Sequence, residues 1–148
     1  MRDIIRGKGT LDCLLTKADG TVEEWTVPNL VVSSGREYMA NLLSVNTVGP
    51  ITHMGVGSSS EGPDLTDNAL GSAIDIRALT SKLQGSGGAS NSIVLVADWA
   101  PGEGTGPITE AALFTEATGG IMISRTTFPV KNKEATDTLS IQWTLTIA

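Results

Sequence analysis

Few side chains in this sequence are of a type that does chemistry at neutral pH. His53 is the single histidine, and it stands between Thr52 and Met54 with no nucleophile or orienting carboxylate beside it. A general base of the usual kind would have to be this imidazole, and its neighbours point instead to a structural or surface role. Cys13 is the single cysteine and alternates with Leu11 and Leu15. That is the setting of an inert buried thiol, whereas a reactive thiolate needs a nearby cation or a helix N-terminus. One Cys and one His exclude an internal disulfide and a zinc site built from those residue types. Gly102-Glu103-Gly104-Thr105-Gly106 has the glycine density of a phosphate loop. It lacks the Gly-Lys-Ser/Thr ending and no helical pattern follows it, so it reads as a turn. Ser58-Ser59-Ser60 follows Gly57 without the frame of a nucleophile elbow.

Carboxylates are more plentiful. Glu61, Asp64, Asp67 and Asp75 precede the next cation, Arg77. Loop carboxylates suit Ca²⁺, but this spacing matches no calcium loop, which leaves a solvated acidic surface or an electrostatic docking patch. Asp98 with Glu103, and Glu110 with Glu116, offer the paired acids of glycoside cleavage. Any acidic β protein offers such pairs. Carbohydrate binding would need spare aromatic rings on loops, and Trp25, Trp99, Trp143 and Phe128 sit where core or interface would use them. No catalytic residue, metal or cofactor is expected.

The elements that position these groups are mostly strands. Leu11, Cys13 and Leu15 alternate along a strand, Lys17-Ala18-Asp19-Gly20 supplies a hairpin turn, and Thr21–Val27 returns until Pro28 ends the pairing. One helix is expected over about 34–45. Ser34 and Glu37 have capping-box spacing, and Met39, Leu42 and Leu43 share one face, which would pack on a sheet. Ile51 to Gly57 reads as strand and 58–64 as loop. A short helical turn near 66–70 is expected, then a strand through Ile74 and Ile76. Ser92–Trp99, Ile108–Thr115 and Ile121–Thr127 read as strands, with Pro129–Glu134 as a loop. The last strand alternates Leu139, Ile141, Trp143, Leu145 and Ile147 with Ser140, Gln142, Thr144 and Thr146. Roughly seven to nine short strands with one helix predict a mainly β chain, an antiparallel β-sandwich or jelly roll.

Composition limits the partners. The chain has 148 residues, enough for one domain, and a net charge of −6. An acidic protein repels nucleic-acid phosphates, so no direct DNA or RNA contact is expected. No apolar run approaches the roughly 18 residues that span a bilayer, and the first residues lack the apolar core of a signal peptide. Residues 1–9 stand apart as an extended arm ahead of the domain at 10–148. Arg2, Arg6 and Lys8 outnumber Asp3, and Ile4-Ile5 adds an apolar pair. Such an arm is either a frayed end or a docking strand, and docking by strand addition is the reading carried forward. Arg2, Ile4, Ile5, Arg6 and Lys8 are therefore the candidate protein-contact residues.

Several strings resemble small structural proteins of tailed bacteriophages. They are Asn29-Leu30-Val31-Val32, Ile51-Thr52 with Val56-Gly57, Ala69-Leu70-Gly71, and Ile108-Thr109-Glu110-Ala111 with Leu113-Phe114. Arg125-Thr126 with Phe128, and Asp137-Thr138-Leu139 with Ile141 and Trp143-Thr144, complete the set. The arrangement is similar to capsid cement (decoration) proteins and to modules of tail and fibre proteins. The resemblance implies a virion β-protein without enzyme activity, cofactor or metal, assembled in the host cytoplasm. On that basis the expected role is binding the outside of an assembled shell and bridging major capsid subunits. The expected partners are the major capsid protein and copies of the chain itself, as a dimer or trimer. Alternatives are a tail, baseplate or fibre component, and a carbohydrate-binding module. The family's motif residues imply scaffold, with Glu110 or Arg125 pairing inside the fold.

Overall fold

The computed structural model describes residues 6–44, 48–85 and 90–147. Ten strands form two antiparallel five-stranded sheets, and one helix follows the third strand. In chain order the elements are β1 (Gly7–Thr16), β2 (Val22–Pro28), β3 (Leu30–Val31), α1 (Ser33–Ser44), β4 (His53–Gly57), β5 (Ala73–Ala78), β6 (Ser81–Gln84), β7 (Ser92–Trp99), β8 (Gly106–Phe114), β9 (Met122–Lys133) and β10 (Thr138–Ile147). The first sheet has the order β2-β1-β10-β7-β6, and the second β3-β9-β8-β4-β5. Their inner faces share one core, so the fold is the expected β-sandwich with a single short helix.

The core of the first sheet comes from the alternation visible in the sequence. Leu11, Trp143 and Leu95 lie side by side across β1, β10 and β7. Cys13, Ile141 and Ala97 make the next inward row, and Leu15, Leu139 and Trp99 the one after. All nine are buried. Alternation with period two puts every second residue of each strand on this face. The pattern weakens at the end of β10, where Leu145 is half-buried and Ile147 is exposed.

Several expectations are corrected. β1 begins at Gly7, and Gly7, Lys8 and Gly9 pair with Ile147, Thr146 and Leu145. These three residues belong to the sheet, so the domain starts before residue 10; the arm residues Arg2, Ile4 and Ile5 lie outside the described residues. Residues 66–70 form no helix. Asp64 Oδ1 accepts from the Thr66 N–H and hydroxyl, and the Asp67 N–H donates to the Asp64 carbonyl. Such local side-chain bonds hold a turn and compete with helix. The loop expected at 129–134 is strand through Lys133. Ile108 pairs with Lys131 but Glu110 with Thr127, so β9 bulges around Pro129 and then resumes. A bulge interrupts the ladder where proline has no N–H to give.

The helix is the largest correction. Ser34 lies inside α1 and its hydroxyl donates to the Met122 carbonyl, while Glu37 is exposed, so no capping box forms. The buried face is Gly35 and Tyr38. Leu42 and Leu43, expected to be buried, are 43% and 78% exposed. Glycine decides this. A Cβ at Gly35 would lie 2.1 Å from the Ile123 carbonyl oxygen, so only glycine lets the helix backbone come this close to β9.

Two substitutions test this packing by denaturant unfolding. Trp143→Ala should cost about 3–5 kcal/mol, as for a fully buried aromatic. Gly35→Ala, which would stabilise an isolated helix, should instead destabilise the protein by about 1–3 kcal/mol through overpacking.

Candidate functional site

The polar side chains that bear on a site fall into three places. The most enclosed is a polar cluster on the outer face of the second sheet. Glu110 on β8 is fully buried and Arg125 on β9 is 3% exposed. Glu110 Oε2 accepts from Arg125 Nε at 3.0 Å and Nη2 at 2.9 Å, a two-pronged ion pair. The same carboxylate accepts the backbone N–H groups of Gly71 at 3.0 Å, Ser72 at 2.8 Å and Ser59 at 3.3 Å. Arg125 also donates to Asp67 Oδ2 and to the Glu61 carbonyl, both at 3.0 Å. A Cβ at Gly57 would lie 2.3 Å from Glu110 Oε1, so glycine makes room for the carboxylate. These bonds fasten loop 58–72 over a second apolar cluster of Val32, Ala112, Phe114 and Met122, packed against Leu70 and Ile76. The expected pairing of Glu110 with Arg125 is present.

Two further carboxylates are also engaged structurally. Asp75 Oδ2 accepts the Trp99 indole N–H at 2.9 Å. Glu103 accepts the Ala100 N–H and pairs with Arg77, and that guanidinium chiefly holds its carboxyl below the usual range. Glu116 is exposed beyond β8 while Glu110 is buried about 20 Å back along the strand, so they form no catalytic pair. Glu61, Asp64, Asp67 and Asp75 do not converge. Among the described residues no group of three or more His, Cys, Asp or Glu is placed to hold a metal ion. His53 is half-buried, with Nδ1 2.8 Å from the Thr52 hydroxyl. Cys13 is buried, and burial pushes its thiol up to about 12. Gly104 has φ +60 and lies against the Trp99 ring, which makes 102–106 a packed turn. Trp99 is fully buried and no platform for a sugar ring. Trp25 is half-buried, 5.4 Å from Phe128 and with Lys131 Nζ 5.0 Å above it.

At the end of the sandwich where β1 and β9 finish and β10 begins, the fold holds two polar residues that sequence reasoning passed over. Asp137 is buried and binds Lys17 at 3.0 Å and the Glu134 N–H at 2.8 Å. Burial pushes its carboxyl up, but the Glu134 N–H, the Lys17 ammonium and the Ala18 N–H together outweigh that and hold it low. Lys133 is 1% exposed and donates to the Ala100 carbonyl, and desolvation lowers its pKa.

The third place is a surface at the opposite end of β1. Arg6 and Gly7 meet α1 and β3 in a groove of about 630 Å³, lined also by Val31, Arg36, Met39 and Leu43. Arg36 Nε donates to the Val31 carbonyl, which anchors the guanidinium at the rim. Of the expected contact residues, Arg6 lines this groove, whereas Lys8 is exposed on the other face of β1 from Gly7 and Gly9. Met39 packs partly against the core as its spacing predicts, whereas Arg36 and Leu43 were missed as surface. Leu43 shares the apolar spacing of α1, which normally marks core. On the other side of the helix, an apolar depression of about 490 Å³ is bordered by Tyr38, Leu42, Ile93, Leu145 and Ile147.

Compared with known protein families, with curated proteins and with solved structures, the chain matches none.

Breaking a buried ion pair leaves a stranded charge. Arg125→Met, which keeps the stem and removes the cation, should therefore cost about 3–5 kcal/mol. Amide exchange at Ser59, Gly71 and Ser72 should speed up more than in the first sheet. For Asp137 the folded value lies below the unfolded one, so its contacts stabilise the fold above the ordinary aspartate range. That contribution is lost as pH falls through the folded value. Asp137→Asn should thus flatten the fall in thermal stability below about pH 4.

Proposed function

We propose that this chain is a non-enzymatic structural protein of a tailed-bacteriophage particle. Within that class it is a capsid cement protein that binds the outside of the assembled shell and bridges major capsid subunits. What supports the reading is where the strings that resemble such proteins fall. Gly57, Leu70, Gly71, Glu110, Phe114 and Arg125 all belong to the clamp over the second sheet. What the resemblance transfers is therefore scaffold. A stiff sandwich whose buried charges are engaged internally suits adhesion to neighbouring protein. Apolar side chains remain exposed around α1, with Leu43 at 78%, and a basic residue stands beside them at Arg6. Binding only to an assembled shell stabilises that shell by mass action. The particle is assembled in the host cytoplasm, and the cement joins its surface.

Counting copies in purified particles tests the assignment. Hundreds per particle, on the shell surface, are expected. A handful marks a tail, baseplate or fibre component, and absence from every particle overturns the reading. A truncation tests the arm. Removing residues 1–5, with Arg2, Ile4 and Ile5, should leave the melting temperature unchanged and abolish shell binding in a pelleting assay. Removing 1–9 should also lower the melting temperature, because Gly7, Lys8 and Gly9 pair with β10. Undiminished decoration by the 1–5 truncation would show that residues 1–5 make no contact.

A further inference from the structure

The α1 groove has a definite chemical character. Its lining combines apolar side chains, Val31, Met39 and Leu43, with two guanidinium groups, Arg6 and Arg36. In a chain of net charge −6, two guanidinium groups beside an apolar lining run against the overall charge. The occupant that fits is an exposed segment pairing an apolar side chain with carboxylates. The molecule presents such a segment itself. The tip of the β1–β2 hairpin carries Asp19, Glu23 and Glu24, all exposed, around Val22 at 48% exposure. The cation at this tip, Lys17, is already bound to Asp137, and Lys131 is drawn over the Trp25 ring. The two surfaces lie at opposite ends of the same strand. Gly7 lines the groove, and Thr16, ten residues along β1, pairs with Val22 beside the tip. A strand of this length holds them about 30 Å apart, so no molecule can place its own tip in its own groove.

We infer that the acidic hairpin tip of one copy docks in the basic, apolar α1 groove of a second copy, a heterologous contact between two different surfaces of this chain. Contacts of this class close into rings when the rotation allows and extend as filaments when it does not. Charge steers and aligns the contact, and the exposed leucine of α1 supplies apolar burial. The inference goes beyond the capsid reading and needs no shell, because the contact forms between free copies.

Mixing two crippled variants tests it by sedimentation. Leu43→Glu spoils the groove and leaves the tip; Glu23→Lys with Glu24→Lys spoils the tip and leaves the groove. All three positions are exposed, so both proteins should fold, with unchanged circular dichroism and melting. The unaltered chain should gain mass as concentration rises from micromolar to millimolar, and high salt should reverse the gain. Each variant alone should stay at the 15.4 kDa monomer mass. An equimolar mixture should reach twice that mass and stop, since one intact groove meets one intact tip. The inference is overturned by a monomeric wild-type chain at every concentration or by a mixture that stays monomeric. It is also overturned by a tip variant that self-associates alone, which would mean that like surfaces pair.

Discussion

The ion pair between Glu110 and Arg125 organises one whole side of this protein. Two charges taken out of water carry a desolvation penalty that their mutual attraction alone does not reliably offset. Here the remaining bonding capacity of both groups is filled. The carboxylate accepts three backbone N–H groups from residues 59, 71 and 72, and the guanidinium reaches Asp67 and the Glu61 carbonyl. Every one of those partners lies in loop 58–72. The pair can be tolerated only if the loop is folded down, and the loop is folded down because the pair is there.

That coupling explains why the outer face of the second sheet differs from that of the first. Val32, Ala112, Phe114 and Met122 form an apolar layer on the outside of the sandwich, which would be exposed without the loop. The loop closes it with Leu70, beside Ile76 of β5, in place of a third layer of secondary structure. The first sheet needs no cover, because Asp12, Gln142 and Asp98 alternate outward opposite its buried rows. With both sheet faces accounted for, the exposed apolar side chains of α1 and the basic residue at its flank become the distinctive part of the surface. They gather at one end, and the acidic hairpin tip stands at the other.

The helix that forms this surface shows how a local pattern misleads. Met39, Leu42 and Leu43 have the spacing of a buried stripe, yet the buried residues are Gly35 and Tyr38, Met39 packs only partly against the core, and both leucines are exposed. Helical periodicity identifies residues that share a side but not what lies opposite that side. The decisive contact is a backbone approach to the Ile123 carbonyl, 88 residues further on, and a glycine announces no partner in the sequence. Arg6 was legible as a contact candidate from charge alone. Its neighbour Arg36 was not, because the groove exists only once β1, β3 and α1 are brought together.

By itself the sequence determined β10 and β1, whose inward residues alternate, the β1–β2 turn and the Ile- and Val-rich β7, and with them the β-sandwich class. It also determined the burial of Cys13, since period-two patterning is a property of consecutive residues. Tertiary structure alone decided the rest. It drew Glu110 and Arg125 onto a distant loop, carried β9 past Pro129 through a bulge, turned 64–67 away from helix, and left Leu43 facing solvent. Each of these depends on what a residue meets across the fold, and that meeting is set by backbone geometry and by burial of charge, neither of which is written in local spacing.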